Sequence, residues 1–459
     1  MNSVVVGVDL GTGGARAVAL ARSGSVKLWM YEAFEGAGSW PPGRADPAAW
    51  LDGLGRLLAR VDEAGLEIAA VGVGGQSPTT VPLRDDRSKD PVGWAATCRH
   101  PAGIGLDRTG QHLAQLEFLS HEAGRPLAGA QIWDWALRCL GAGNIQGLWP
   151  DEETVPGYGE RVLVGTVIGH CDGSLGLPAG TPLVSASNDA YMSFWAGGLG
   201  TPGRGHDPGG RTGGLGVAVD AAQRPAEIPG YFSPVAGVQV VGGPTNGHGQ
   251  LLEWWSGASG RSIEELLTLA GSVDPGADGL LVLPYHDGER APRWESRLRG
   301  EIHGLTFDTG VAEIARAVLE AAGYGLRHVH EELRSSGVEM DVMCCGGSPA
   351  LSRLWCSIKA SVLEVAVDMP ERPEQLSAHG CALAAGAALD WWEGVGAASM
   401  DSWPLAAMTR IEPAPDDAYR ANYERFVALG DAAVARLPEA ERSEAVARAA
   451  RERSEQERG

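Results

Sequence analysis

The chain has no apolar run long enough to cross a bilayer, no basic stretch leading into a hydrophobic core near residue 1, and no Cys-x-x-Cys pair among its seven cysteines. The first two absences lead us to expect neither a membrane span nor a secretory signal. The third removes the usual ligand spacing of a structural zinc site and points to reduced thiols, hence a cytoplasmic setting. Cys344 and Cys345 adjoin within an apolar run and read as buried strand residues. Basic residues are in deficit, 37 Lys and Arg against 58 Asp and Glu, for a net charge of -21. Nucleic acid is therefore not expected as a partner, because neutralising phosphates requires clustered Lys and Arg. Any polyanionic ligand must be held by backbone dipoles, a metal or a few arginines against an unfavourable overall field.

What is present is a globular composition, 44% hydrophobic over 459 residues, which suggests two or three domains. Residues 3–8 and 15–20 read as paired strands and 26–34 as a third. Residues 46–65 place Trp50, Leu51, Leu54, Leu57, Leu58 and Val61 on one helical face, with Asp46 as N-cap and Pro47 opening the helix. Residues 68–76 form a further buried strand, so the beginning reads β-β-β-α-β. Later, 311–334 and 350–361 read as helices, "VMCC" and "VLEVAV" as strands, and 374–392 as a helix. The last forty or so residues read as a charged, solvated helix. The simplest architecture is a duplicated α/β domain with a cleft between the copies, 1–243 and 244–459, parting near the glycine-rich "VVGGPTNGHGQ" (240–250).

Five segments invite chemistry. In "VVVGVDLGTGGARAVAL" (4–20), Asp9 ends a strand and a Gly-Thr-Gly-Gly turn exposes successive backbone N–H groups, which suits an anion. Asp9 is placed to hold a hydrated magnesium ion. A plain hairpin with a capping Asp explains the same residues. In "VSASNDAYMSFWAGGLG" (184–200), Asp189 stands between a strand and a helix, where it could take a proton from a hydroxyl or merely cap the helix. "DPGGRTGGLGVAV" (207–219) repeats the Gly-Thr hairpin. "GADGLLVLPYHDGERAP" (276–292) and "CCGGSPALSRLWCSIKA" (344–360) complete the set; in the latter, Gly346 and Gly347 allow close approach to the backbone at a helix start.

Taken in order, the five resemble the FGGY family of carbohydrate kinases, which have the sugar kinase/Hsp70/actin fold of two ribonuclease H-like domains. "DLGTGGARAV" is similar to that family's first phosphate motif and "GGRTGGLGVAV" to its second. "SASNDAYMSFWAGGLG" resembles the segment bearing its catalytic aspartate. "GADGLLVLPYHDGERAP" with "LRGEIHGLTF" is the nearest match, and "GGSPALSRLW" with "EQLSAHGCALAAGAA" resembles the adenosine segment and closing helix. The likeness runs over roughly residues 3–430 in the family's order. It implies ATP and Mg²⁺ as cofactors and a small sugar, polyol or cyclitol as acceptor; the chain could assemble as a homodimer. It implies Asp189 as general base and Asp9 as metal ligand. Gly11, Thr12, Gly13, Arg16, Thr212 and Gly213 would serve the phosphates, and Gly346, Gly347 and Ser348 the adenosine. Gln76, Trp94, Thr97 and Arg99 would line the acceptor site.

The chain departs from this family at the acceptor. "VGWAATCRH" keeps Trp94 and Arg99 but is one residue longer than the family's Trp-x-Asp-x-Arg, and Thr97 stands where the acid is expected. Losing a buried carboxylate that holds two hydroxyls costs on the order of a few kcal/mol for the usual substrate, which disfavours an ordinary ketopentose. Ser357 and Ser361 replace an expected Gln and acid, and the region after Arg99 is short. Two readings result: an active kinase with an unusual acceptor, or a catalytically inactive homologue that binds a ligand or regulates. Retention of Asp9, Thr12, Asp189 and Thr212 favours the first. Of the fifteen tryptophans, Trp50 and Trp391 read as helix anchors and only Trp94 as a sugar contact. His100, His248 and His286 lack metal spacing, while Asn246 and His248 could face the acceptor. Asp287, Glu289 and Arg290 read as a brace in a tight turn.

Overall fold

The computed structural model describes residues 2–102, 107–226, 228, 230–394 and 405–438. Its contacts group the chain into two units, 1–196 with 232–236 and 375–405, and 197–231 with 237–374 and 406–459. In the first unit a six-stranded sheet contains β1 (Ser3–Leu10), β2 (Gly14–Ala21), β3 (Val26–Ala33), β4 (Glu67–Gly75), β5 (Val167–His170) and β6 (Pro182–Asn188), in the order β5-β6-β4-β1-β2-β3. β1, β2 and β3 form an antiparallel meander, while β1, β4 and β6 run parallel. The expected β-β-β-α-β opening is present. Asp46 accepts from the Ala48 N–H, Pro47 opens the helix Pro47–Glu63, and Trp50, Leu54, Leu57, Leu58 and Val61 are buried on one stripe of it.

In the second unit the sheet holds β7 (Arg204–Asp207), β8 (Gly213–Asp220), β9 (Gly230–Phe232), β10 (Val238–Thr245), β11 (Val342–Cys345), β12 (Ala366–Pro370) and β13 (Met408–Ile411). Their order is β9-β10-β8-β7-β11-β12-β13. The pairing senses match those of the first sheet: β7-β8-β10 is antiparallel, β7, β11 and β12 are parallel, and the next strand, β13, is antiparallel. This repeated order is the duplication expected from the sequence. Each unit has its own apolar core.

Several local expectations are corrected. Residues 240–245, at the place where the two domains are expected to part, belong to β10, paired along its length with β8. The strand expected at 362–367 starts at Ala366, because the helix Arg353–Leu363 runs on until Glu364 turns left-handed at φ 59°. The helix expected over 374–392 spans Leu376–Ala387, so Trp391 lies beyond its end rather than on its face. The helical tail is described as far as the helix Asp417–Ala435; residues 439–459 lie outside the described residues. No described helix is long and apolar enough to cross a membrane.

Candidate active site

Three parallel strands of the first unit deliver the sequence-predicted acids to one end of their sheet. β4 lies between β1 and β6, with Gly74 opposite Asp9 on one side and Gly75 opposite Asn188 on the other. Asp9 and Asp189 thus emerge at the carboxyl ends of strands flanking a glycine pair, which is where open α/β sheets bind ligands. The glycines are required by packing. A Cβ on Gly74 would lie 2.6 Å from the Ser187 carbonyl oxygen, and one on Gly75 would lie 3.0 Å from that of Leu10.

Asp9 is buried, with one carboxylate oxygen 3.9 Å from Arg16, its cross-strand neighbour, and Oδ1 without a hydrogen-bond partner. Burial pushes its carboxyl above the ordinary value, and Arg16 opposes the shift. The Arg16 guanidinium in turn lies 5.5 Å from the centroid of the Tyr31 ring on β3. The loop after Asp9 is closed by a Gly11 N–H donating to the Gly14 carbonyl at 3.1 Å. Thr12 donates to Gln76 Oε1 at 3.0 Å, while the Gln76 amide reaches the Gly11 carbonyl at 3.5 Å. Gln76, expected as an acceptor contact, also braces this loop. Gly13 has no positive φ, and a Cβ there would meet nothing within 4 Å, so the fold itself does not demand glycine.

Asp189 opens the helix Asp189–Ala196. Capping is done by its neighbour: Asn188 Oδ1 accepts from the Tyr191 N–H at 2.9 Å. The Asp189 carboxylate accepts from the adjacent Ala190 N–H, and the Ser377 hydroxyl donates to its backbone carbonyl. Burial, helped by the charge of Asp9, pushes the Asp189 carboxyl up to about 7 against the opposing Ala190 N–H and Arg16. Asp189 thus stands in the field of a second buried acid, and its side chain is not what caps the helix. Asn188 and Ser377 were missed at the level of sequence, although the Asn before Asp189 carried an N-cap signal.

The predicted acceptor residues sit beside the small four-stranded sheet of residues 44–45, 95–96, 80–83 and 128–131. Trp94 is 41% exposed, which leaves its ring free to stack. Thr97 is buried; its hydroxyl accepts from the Arg99 N–H at 3.4 Å, and its carbonyl accepts from Gln115 at 3.0 Å. Gln115 also accepts from Thr80, which meets His112 and Tyr158, so a buried polar network fixes the backbone at Thr97, just beyond the strand 95–96. Arg99 is exposed. Between them Cys98 feels the charge of Asp189; burial first, and that charge second, push its thiol up to about 11. This segment therefore lies within the electrostatic reach of the acid.

In the second unit the remaining predicted residues converge. Gly209 and Gly210, at φ 55° and 138°, and Gly347, at φ 70°, occupy backbone conformations that favour glycine. The two turns touch: a Cβ on Gly209 would lie 1.9 Å from the Gly346 carbonyl oxygen. Thr212 and Ser348 are exposed at these turns, while Gly213 is buried against the His248 ring. His248 thus does not face an acceptor, and Asn246 is engaged by the Gly288 carbonyl and Arg290. The brace expected within residues 287–290 is formed by Glu289 with Arg293 at 2.9 Å, four residues on in the same turn region. Ser361 serves the backbone, donating to the Ser357 carbonyl and accepting from the Ala414 N–H. Among the described residues no three His, Cys, Asp or Glu side chains converge as a metal site.

Residues 212–389 match the profile described as the FGGY family of carbohydrate kinases, C-terminal domain. A xylulose kinase of Staphylococcus epidermidis is 35% identical over 133 residues, covering 29% of this chain and 27% of that enzyme. A ribulokinase of Shouchella clausii is 30% identical over 284 residues, covering 56% of this chain and 50% of that one. The chain thus matches half or less of the length of these two relatives. The solved gluconate kinase from Lactobacillus acidophilus superposes with a TM-score of 0.76 over 94% of this chain and 98% of its own, at 18% identity. At that identity the likeness establishes the fold: two ribonuclease H-like domains of the sugar kinase/Hsp70/actin type.

Proposed function

We propose that the chain, whose residues 212–389 match the C-terminal domain of the FGGY family of carbohydrate kinases, is a member of that family and transfers the γ-phosphoryl group of ATP to a hydroxyl of a sugar, polyol or cyclitol. The observation that carries this reading is the state of Asp189: Asn188 caps the helix in its stead, and its carboxyl, at about 7, is poised to accept a proton at neutral pH. As the acceptor oxygen forms its bond to phosphorus, its proton passes to Asp189, while the bond from phosphorus to the departing ADP oxygen breaks. Arg16 and the loop of Gly11, Thr12 and Gly13 would face the transferred phosphoryl group, with Thr212, Gly213, Gly346, Gly347 and Ser348 serving the rest of the nucleotide. Such positioning and charge neutralisation are most of what phosphoryl transfer requires. Asp9, whose buried Oδ1 has no partner, fits a magnesium ligand. The ion, when bound, would neutralise phosphate charge.

The reading is tested by coupled ADP release with MgATP across a panel of sugars, polyols and cyclitols, with Asp189→Asn as blank. A signal that vanishes in the variant supports it. No release, together with no ATP binding by calorimetry, overturns it in favour of an inactive homologue.

Two further variants separate the roles. Asp9→Asn is expected to remove the magnesium-dependent part of ATP affinity, read by calorimetry with and without magnesium. Wild-type binding that ignores magnesium would refute the role given to Asp9. Gly13→Ala is expected to leave the melting temperature unchanged, because the added Cβ meets open space. It should nevertheless weaken ATP binding about tenfold by filling the room in which a phosphate approaches the backbone. Unchanged ATP affinity would mean that the opening loop is only a hairpin.

A further inference from the structure

We propose that the buried pair Asp207–Lys359 is a positioning device that holds the two glycine turns of the second unit in the shape that receives the nucleotide. The inference rests on the kinase reading above. Its starting point is the duplication. β7 occupies in its sheet the place that β1 occupies in the other, each beside an antiparallel hairpin partner and a parallel strand. Each carries an acid at its last or next-to-last position, followed two residues later by glycine, Asp9-Leu10-Gly11 and Asp207-Pro208-Gly209.

The two acids have opposite surroundings. Asp9 keeps an oxygen without a partner. Asp207, fully buried, is saturated: Oδ1 accepts from the Gly209 N–H at 3.0 Å, and Oδ2 lies 2.5 Å from Lys359 Nζ and 3.4 Å from His248 Nε2. Burial opposes its charge, but Lys359 and His248 outweigh that and hold the carboxyl well below its ordinary range. Asp207 is thus not a second metal ligand; its charge is already matched.

What the pair braces is the contact between the turns. The Asp207 carbonyl accepts from the Gly346 N–H at 2.7 Å, and its carboxylate accepts from Gly209. Lys359 comes from the helix Arg353–Leu363, which follows the Gly346–Gly347 turn, and its ammonium lies 5.3 Å from the centroid of the Trp355 ring. One ion pair therefore closes a ring through the first turn, the second turn and the helix. His248 extends it: its ring packs on Gly213, and the helix it precedes donates from Gly249 and Gln250 to the Gly210 and Arg211 carbonyls at 2.9 and 2.8 Å. Loosening this ring would disturb the nucleotide and spare the acceptor.

Removing one partner alone would strand a buried charge and could prevent folding, so the test is the double variant Asp207→Asn/Lys359→Met in the full chain. It is expected to fold and to show faster amide hydrogen exchange at residues 209–213 and 346–348. MgADP affinity should fall at least tenfold by calorimetry. KM for ATP should rise while KM for the best acceptor of the panel stays within twofold; a general loss of structure would move both. Wild-type exchange at those amides, or MgADP affinity within twofold of wild type, overturns the proposal. If the double variant does not fold, Lys359→Arg carries the same readouts, because it keeps the charge but changes the reach of the tether. A wild-type chain that binds no MgADP defeats the kinase reading, and the exchange data still decide whether the pair braces the turns.

Discussion

Replacing Asp189 by asparagine is expected to lower turnover at least about a hundredfold, as for loss of a general base, with nucleotide affinity changed only a few-fold. The size follows from the local arrangement. Asn188 already satisfies the helix start, so the substitution removes a proton acceptor and leaves the backbone in place. The pH dependence gives a second readout. A base must be ionised to act, so kcat/KM in the wild type should rise with pH through about 7, the value to which burial and the charge of Asp9 push Asp189. Asp9→Asn removes one of those two causes and should move the rising limb to lower pH. Stability runs the other way. A carboxyl whose folded value lies above its unfolded value favours the folded state below the unfolded value and loses that advantage as pH climbs to the folded value. For Asp189 this window runs from 3.8 to about 7. Asp189→Asn escapes the loss, so it should melt higher than wild type at pH 8, with the difference shrinking at pH 4. A variant that retains turnover, or whose kcat/KM keeps the wild-type limb, would remove Asp189 from the proton-accepting role.

How much of this was legible in the sequence depends on how local each cause is. Asp46 with Pro47, the hairpin around Thr12 and the stripe from Trp50 to Val61 are settled by neighbours within a few residues, and each forms as the pattern predicts. Periodicity was less able to see where a helix yields to a strand. Val362 and Leu363 are apolar in either state, and it is Glu364 in a left-handed turn that ends the helix. The glycine-rich, polar stretch 240–245 reads as a domain boundary, yet a Cβ on Gly242 would lie 1.9 Å from the Leu215 carbonyl oxygen, so close strand packing is what requires glycine there. Partners distant in sequence lay furthest from view. Lys359 meets Asp207 across 152 positions, and Ser377 reaches Asp189 across 188. Resemblance to a family supplied the order of the motifs, whereas the identity of the helix cap and the saturation of Asp207 emerged only from the geometry.

Gly380→Ala is expected to damage both stability and turnover, in contrast to Gly13→Ala. The helix Leu376–Ala387 packs against three elements of the first unit through glycines. A Cβ on Gly380 would lie 2.2 Å from the Met192 carbonyl oxygen, one on Gly7 would lie 2.1 Å from the Ala378 carbonyl oxygen, and one on Gly72 would lie 2.5 Å from that of Cys381. These are backbone atoms, so no side chain can swing aside. Met192 lies one turn into the helix that Asp189 opens, and Gly7 lies two residues before Asp9. The separation between the two acids is therefore set by how closely this one helix can approach both elements. An alanine at 380 must push the Asp189 helix away, an overpacking cost at the upper end of about 1–3 kcal/mol, or roughly 6–12 °C in melting temperature for a unit of this size. Because catalytic geometry is sensitive to shifts of about 1 Å, turnover should fall about a hundredfold even at temperatures where the variant is fully folded. The measurement is turnover and ATP affinity on the folded variant, beside its melting curve. A folded Gly380→Ala variant with wild-type turnover would show that the Asp189 helix is positioned by something other than this contact.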